Sequence, residues 1–181
     1  AKFGTPEQKT RYLQPLLNAE IASCYSMTEP QAGADPGEFL CTATRDGNEW
    51  VINGEQWFAS HARFSAFLLV MVVTDTEAPI HQGASIFLVE QGTPGMDIIR
   101  NSAVGPYVEQ GDGVHAYISF KNCRVPADNL LGDEGQGFHV AQTRLGGGRV
   151  HHAMRTVGVI RKALDMMCER AVSRRTKGEL L

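Results

Sequence analysis

The segment Cys24–Asp35 is the first candidate for binding chemistry, because a strand-like run there leads into a turn that contains proline and small residues. Small residues such as Gly33 and Ala34 let a flat or anionic ligand approach the backbone N–H groups of the turn. An ordinary turn at the end of a strand has the same composition. The residues alone therefore indicate a binding turn without excluding this simpler interpretation.

Two features could suggest a metal site, the four cysteines and an adjacent pair of histidines, and the spacing of neither favours one. The four cysteines form no Cys-x-x-Cys motif, which argues against structural zinc and favours free thiols in a reducing compartment. His151 and His152 are adjacent on a helical pattern, so their side chains point about 100° apart and are poorly placed to bind the same ion. We expect packing or surface roles for both histidines and no metal site.

The sequence pattern on either side of the candidate turn predicts an α+β fold. It indicates a short N-terminal helix, an antiparallel β-barrel or sandwich, and the start of a C-terminal helical bundle. Thr5 is a predicted N-cap, Pro6 occupies the first helical position, and Gln8 can complete a capping box. This helix is predicted to end near Asn18.

Short strand-like segments follow at a spacing of about ten residues, as in a sandwich or barrel. Arg45–Asn48 and Ile52–Glu55 are predicted as turns between strands, because Asp-Gly and similar pairs tolerate positive φ. The predicted strands are Ile21–Thr28, Phe39–Arg45, Glu49–Ile52, Gln56–Ser60, Phe67–Thr74, Ala84–Val89, Met96–Arg100 and Val114–Phe120.

A helical period returns after Pro126. The three glycines Gly146–Gly148 are predicted to interrupt it, since each costs about 1 kcal/mol in a helix interior. A long amphipathic stretch begins at Arg149 and needs partner helices or copies of the subunit to cover its apolar face. We therefore predict three regions, at residues 1–21, 22–127 and 128–181.

Composition and charge narrow the class of protein. Of the 181 residues, 43% are hydrophobic and 20% charged, which excludes a disordered tail, a collagen-like fibre and a disulfide-rich miniprotein. The longest apolar run, Ala66–Val73, is too short to span a bilayer. Residues 1–143 carry 8 Lys/Arg against 17 Asp/Glu, whereas residues 144–181 carry 9 against 3. The basic C-terminal segment suits either a phosphate-rich partner or a solvated helix face. The two chain ends suggest a piece of a longer protein.

Several separate motifs, in the same order along the chain, resemble the acyl-CoA dehydrogenase family. They are Gly4–Lys9 with Tyr12-Leu13, Thr28–Pro30 with Ala32-Gly33 and Asp35, Ile52–Gly54, Val125-Pro126 with Asn129–Gly132, and Arg174–Leu181. The resemblance covers nearly the whole chain. It implies a subunit of helical, β-barrel and helical domains, of which only the middle one is complete here.

The resemblance also implies residues that bind FAD. Tyr25, Ser26, Met27 and Thr28 match positions that contact the flavin ring, with Thr28 bonded to its pyrimidine edge. Gly33 and Ala34 match positions that meet the FAD pyrophosphate and the acyl-CoA, and Ala34 stands where many members carry Ser.

The predicted strand Gln56–Ser60 supplies a second set of matches. Phe58 stands where the family has a Trp beside the isoalloxazine ring, and Ser60 stands where it has a Thr that hydrogen-bonds near flavin N5. Strand alternation independently places Phe58 and Ser60 on one face and Trp57 on the other, so we predict Trp57 in the core.

Two arginines of the C-terminal region have counterparts in the family. Arg149 matches an Arg near the bound acyl-CoA, and Arg149–Arg155 resembles the branch with the tenth and eleventh vertebrate members. Arg174 matches an Arg that reaches the FAD of a neighbouring subunit, although Lys177 replaces a common aromatic residue nearby. Gly148 stands where some members carry their catalytic Glu. We therefore expect no catalytic base in this chain, but one in C-terminal helices outside it.

The activity implied by the resemblance is α,β-oxidation of acyl-CoA thioesters in fatty acid β-oxidation. Hydride would pass to FAD N5 and electrons to an electron-transfer flavoprotein. The implied assembly is a homodimer or homotetramer with no membrane partner. The sequence leaves the location unknown, although the free cysteines favour a reducing soluble compartment (bacterial cytoplasm, mitochondrial matrix or peroxisome). A flavin oxidase or hydroxylase, a nucleic-acid-associated member and a catalytically inactive member remain alternatives. Nucleic acid ranks low, because the basic helix is expected to meet CoA and FAD phosphates.

Overall fold

The computed structural model describes residues 1–103 and 114–180. They divide into two compact units, Ala1–Val140 and Ala141–Leu181. The first unit combines a short N-terminal helix with a curled seven-stranded sheet in the form of a half-barrel. The second unit contains most of a long helix and a two-stranded hairpin. This architecture confirms the predicted α+β fold, whereas the three predicted domain boundaries remain predictions.

The N-terminal helix begins as its sequence predicts. It consists of the α-helical turn Pro6–Gln8, the π-helical turn Lys9–Leu13 and the α-helical turn Gln14–Leu17. Thr5 and Gln8 form the capping box, in which each backbone N–H donates to the other's side-chain oxygen at 3.2 Å.

The strands of the sheet are β1 (Ser23–Ser26), β2 (Thr42–Asp46), β3 (Glu49–Ser60), β4 (Phe67–Val73), β5 (Ala84–Glu90), β6 (Met96–Asn101) and β7 (His115–Pro126). They run in the order β5-β4-β2-β3-β7-β6, and β1 and β2 both pair with the edge of β4 that faces away from β5. Most neighbours are antiparallel, as predicted, but β1 runs parallel to β4, and β2 pairs with β4 in parallel at one residue pair. Short helical turns lie at Pro36–Glu38, Ala62–Phe64, Ile80–Gly83 and Ala127–Asn129.

The turn predicted at Ile52–Glu55 was wrong, because β3 continues through it as one twelve-residue strand. Its pairing with β7 shifts register between Ile52 and Gly54, and Gly54 adopts φ +140°. The asparagine and glycine therefore lie within a continuous strand, opposite a β-bulge in which β7 has the extra residue. The other predicted turn is confirmed, since Gly47 has φ +61° between β2 and β3.

The difference in strand length decides where the functional elements meet. β2 has five residues, so it pairs with the first part of β3, Glu49–Asn53, and leaves the second part of that strand unpaired by β2. The chain that leaves β1 lies beside the second half of β3, where Trp57 N donates to Thr28 O at 2.9 Å. The curled sheet thus joins the ends of β1 and β3.

The core of the half-barrel is apolar and contains three of the cysteines. Trp50 of β3 packs on Phe87 of β5 with ring centroids 5.3 Å apart. Burial raises the pKa of the Cys123 thiol to about 11 and that of Cys41 further still, so both remain protonated core residues at neutral pH. All four cysteines are free thiols.

The long helix, Gly137–Ser173, continues through Gly146–Gly148, so the predicted interruption was wrong. Glycine lowers helix propensity but keeps its backbone N–H and C=O, and a long helix tolerates that loss. No helix among the described residues is both long enough and apolar enough to cross a bilayer. The apolar side chains of the amphipathic stretch predicted from Arg149 onward are exposed, including Val150, Met154, Val157, Ile160, Leu164 and Met167.

Candidate functional site

The candidate site lies in the first unit, where the end of β1 meets the end of β3. Within β1, Ser26 is fully buried and Tyr25 half-buried. Met27 and Thr28 follow, and Thr28 accepts the backbone hydrogen bond from Trp57. Two segments about thirty residues apart in sequence, which the sequence analysis assigned to the same ligand, are therefore in direct backbone contact.

A second bulge, in which β3 has the extra residue, determines which side chains are exposed at this junction. The register against β7 shifts between Gln56 and Ala59, and Phe58 adopts φ +52°. Ala59 is buried, whereas Phe58 and Ser60 on either side of it are exposed, Phe58 to 38%. Because a left-handed residue other than glycine is strained, the surrounding strands must hold Phe58 in this conformation.

The same bulge overturns the prediction that Trp57 is a core residue. Trp57 is only half-buried, and its ring packs on Phe58 at 4.8 Å and on Tyr117 at 6.2 Å between centroids. Strict alternation fails where one strand has an extra residue, so the neighbours Trp57 and Phe58 form one aromatic surface.

Ser60 has a partner that the sequence analysis missed. His115 of β7 is directly opposite Ser60, and its Nδ1 lies 3.0 Å from Ser60 Oγ. The His115 ring also makes an edge contact with Phe58, with centroids 6.2 Å apart. No local motif indicates this contact, because it joins residues 55 positions apart through strand pairing.

A buried carboxylate anchors the turn that follows β1. Glu29 is 1% exposed, and its oxygens accept hydrogen bonds from Cys41 N at 3.0 Å, Leu40 N at 2.7 Å and Gln31 Nε2 at 2.6 Å. Such charge-assisted bonds are stronger than neutral ones and hold the turn against Leu40 and Cys41, which directly precede β2. Beyond this anchor, Gly33 (φ +57°) and Ala34 are exposed, which leaves their backbone open to a ligand.

Two buried polar atoms at the junction have no protein partner within the described part of the chain. They are Ser26 Oγ and Trp57 Nε1. Buried polar groups are nearly always hydrogen-bonded, so each of these atoms calls for a water or a ligand atom. The exposed Phe58 ring and the Ser60 hydroxyl offer an apolar wall and a polar edge, which suit a planar aromatic ligand.

The second unit carries the two predicted arginines. Arg149 Nη1 donates to Gln142 Oε1 on the same helix, and Arg174 is exposed just after the helix ends. The hairpin of β8 (Arg175–Thr176) and β9 (Glu179–Leu180) turns through left-handed Lys177 and Gly178, which is typical of a type I′ turn. Both cations are available to anionic oxygens from outside this unit.

Metal chemistry finds no support in residues 1–103 and 114–180, where no group of three or more His, Cys, Asp and Glu side chains could hold an ion. His151 and His152 have rings 5.7 Å apart at 69°, and Arg155 contacts His152 Nδ1.

Comparison with known proteins identifies the class. The family model for the acyl-CoA dehydrogenase middle domain matches residues 24–123, and that for the C-terminal domain matches residues 135–181. The chain belongs to the acyl-CoA dehydrogenase family, whose members are FAD-dependent oxidoreductases.

Particular relatives refine this assignment. The chain is 43% identical to human acyl-CoA dehydrogenase family member 11 over 176 residues, which are 95% of this chain and 23% of that protein. It superimposes on butyryl-CoA dehydrogenase from Megasphaera elsdenii with a TM-score of 0.75 and 30% identity, over 99% of this chain and 46% of that one. A structure of the electron transferring flavoprotein of Acidaminococcus fermentans gives a TM-score of 0.74 and 31% identity, over 99% of this chain and 46% of that one. The chain thus spans about a quarter of the relative from the curated proteins and under half of each solved chain.

Proposed function

We propose that this chain forms the flavin-binding part of an enzyme that oxidises acyl-CoA thioesters at the α,β position. The observation that carries the proposal is the backbone hydrogen bond from Trp57 to Thr28, which brings the end of β1 beside the strand end that exposes Phe58 and Ser60. Membership of the family supports both the cofactor and the substrate class.

The residues of the first unit bind and orient the flavin in this proposal. Phe58 offers an apolar wall for the ring, and Ser60 offers a hydroxyl at its edge. Tyr25, Ser26, Met27 and Thr28 line the other side. Gly33 and Ala34 present open backbone to the pyrophosphate and to the acyl-CoA. When bound, FAD supplies the hydride acceptor, and the protein excludes water and fixes the geometry.

The second unit contributes charge. Arg149 faces the acyl-CoA and Arg174 reaches the FAD of a neighbouring subunit in the proposed homodimer or homotetramer, since a guanidinium binds phosphate or carboxylate oxygens in pairs. The general base is a carboxylate outside this chain, because Gly148 cannot supply one. The proposed electron acceptor is an electron-transfer flavoprotein, and one structural neighbour of the chain is named as such a flavoprotein.

The first prediction tests this proposal with the full-length protein. We expect the purified protein to contain FAD, and anaerobic addition of acyl-CoA to bleach the flavin absorbance. Acyl-CoA esters of increasing chain length would rank the substrates, and free CoA is the control that should not bleach it.

Two results would contradict the proposal. A full-length protein that never binds FAD removes the cofactor. Substrate-dependent oxygen consumption without an electron-transfer partner assigns an oxidase or hydroxylase instead.

A further inference from the structure

We propose that His115 is a positioning residue that fixes the Ser60 hydroxyl as a hydrogen-bond donor toward the bound flavin. This inference rests on the proposed function, because it assumes that a flavin occupies the junction of β1 and β3. Its basis is the contact of 3.0 Å between His115 Nδ1 and Ser60 Oγ.

The direction of the hydrogen bond between His115 and Ser60 determines what the Ser60 hydroxyl can offer a ligand. A serine hydroxyl has one hydrogen and two lone pairs. When His115 carries its proton on Nδ1, the ring donates to Ser60 Oγ, and the hydroxyl hydrogen is directed to another acceptor. When Nδ1 is unprotonated, Ser60 donates its hydrogen to the ring and can only accept from a ligand. The tautomer of His115 thereby decides whether Ser60 is a donor.

Competition for this hydrogen is weak within the described part of the chain. The other acceptor that Ser60 Oγ contacts is the carbonyl oxygen of Phe58 at 3.5 Å, which is at the limit of hydrogen-bond distance. A flavin ring beside the exposed Phe58 would place a better acceptor within reach of Ser60. The flavin nitrogen or carbonyl edge is therefore the preferred target of the released hydrogen.

The strands around His115 are rigid enough for it to act as a positioning group. Its carbonyl accepts a hydrogen bond from Ser102 N at 2.8 Å, and its neighbour Val114 accepts one from His61 N at 2.6 Å. β7 lies between β3 and β6, so both of its edges are paired. The ring is also held by its edge contact with Phe58. A side chain on a doubly paired strand holds its geometry better than one on a loop.

The test is a double-mutant cycle on FAD affinity, measured by titrating the full-length apoprotein with FAD and following flavin fluorescence. His115→Leu should weaken FAD binding about 2- to 10-fold, the equivalent of one neutral hydrogen bond. In a Ser60→Ala background, the same change should have a much smaller effect, because the proposed contribution of His115 passes through Ser60. His81→Leu is the matched control, since His81 is exposed on another part of the sheet domain.

Two more variants test the direction of the bond. His115→Asn can donate to Ser60 from its amide and should restore affinity relative to His115→Leu. His115→Asp can only accept, so it should draw the Ser60 hydrogen inward and fail to restore binding. His115→Asn also keeps the test decisive if His115→Leu does not fold.

The possible results separate the two proposals. Equal losses for His115→Leu in the wild-type and Ser60→Ala backgrounds would show a purely structural role and overturn this inference, while the proposed function stands. Rescue by His115→Asp rather than by His115→Asn would overturn the assigned direction. A wild-type protein that binds no FAD would overturn the proposed function itself.

Discussion

Replacing Gly54 with alanine is expected to destabilise the sheet domain by about 3–5 kcal/mol. A Cβ added at this position lies 2.6 Å from Cys41 Cα and 2.8 Å from its Sγ, so it collides with the backbone of a buried residue. The φ of +140° adds strain for any side chain. β3 cannot move away from Cys41 without disturbing its pairing with β7.

Gly47→Ala is the matched control, because Gly47 also has positive φ but has no atom within 4 Å of an added Cβ. It should cost only about 1–2 kcal/mol. Urea unfolding of both variants in the full-length protein measures the difference. Equal midpoints for the two variants would show that the close approach to Cys41 does not constrain Gly54.

Replacing Glu29 with glutamine should cost about 2–3 kcal/mol and also weaken FAD binding. The amide changes one acceptor oxygen into an N–H₂ donor, which then faces Cys41 N–H or the pair of donors from Leu40 and Gln31. At least one buried backbone donor loses its partner. The turn that carries Gly33 and Ala34 then loses part of its anchor to the segment that precedes β2.

Glu38→Gln is the control for this change, since Glu38 is exposed on the same loop. The thermal unfolding midpoint and the FAD dissociation constant of the full-length protein should both change for the Glu29 variant and stay near wild type for the Glu38 variant. Unchanged stability in the Glu29 variant would mean that the three hydrogen bonds contribute little to this loop.

Features set by neighbouring residues were predictable from the sequence. The capping box of Thr5 and Gln8 and the turn at Gly47 need only a few residues and their intrinsic φ preferences. The long helical period after Gly148 was also visible, although the helix proved continuous through the glycines.

Features that depend on strand pairing were not predictable. Asn53 and Gly54 stay in the strand, where β7 bulges opposite them and Cys41 lies against Gly54, and without that context the Asn-Gly pair indicates a turn. The bulge at Phe58 likewise reverses the environment expected for Trp57. The contact of His115 with Ser60 depends on the pairing register of β3 and β7, which brings together two residues 55 positions apart. Sequence pattern alone carries none of this information.

The proposed function requires a flavin ring to lie between the end of β1 and the bulged end of β3. An experimental structure of the full-length protein with FAD bound tests it most directly. We predict that the isoalloxazine ring lies against Phe58, with Thr28 and the Ser60 hydroxyl at its polar edges. A ring bound elsewhere, or one from which Phe58 and Ser60 point away, would contradict the account.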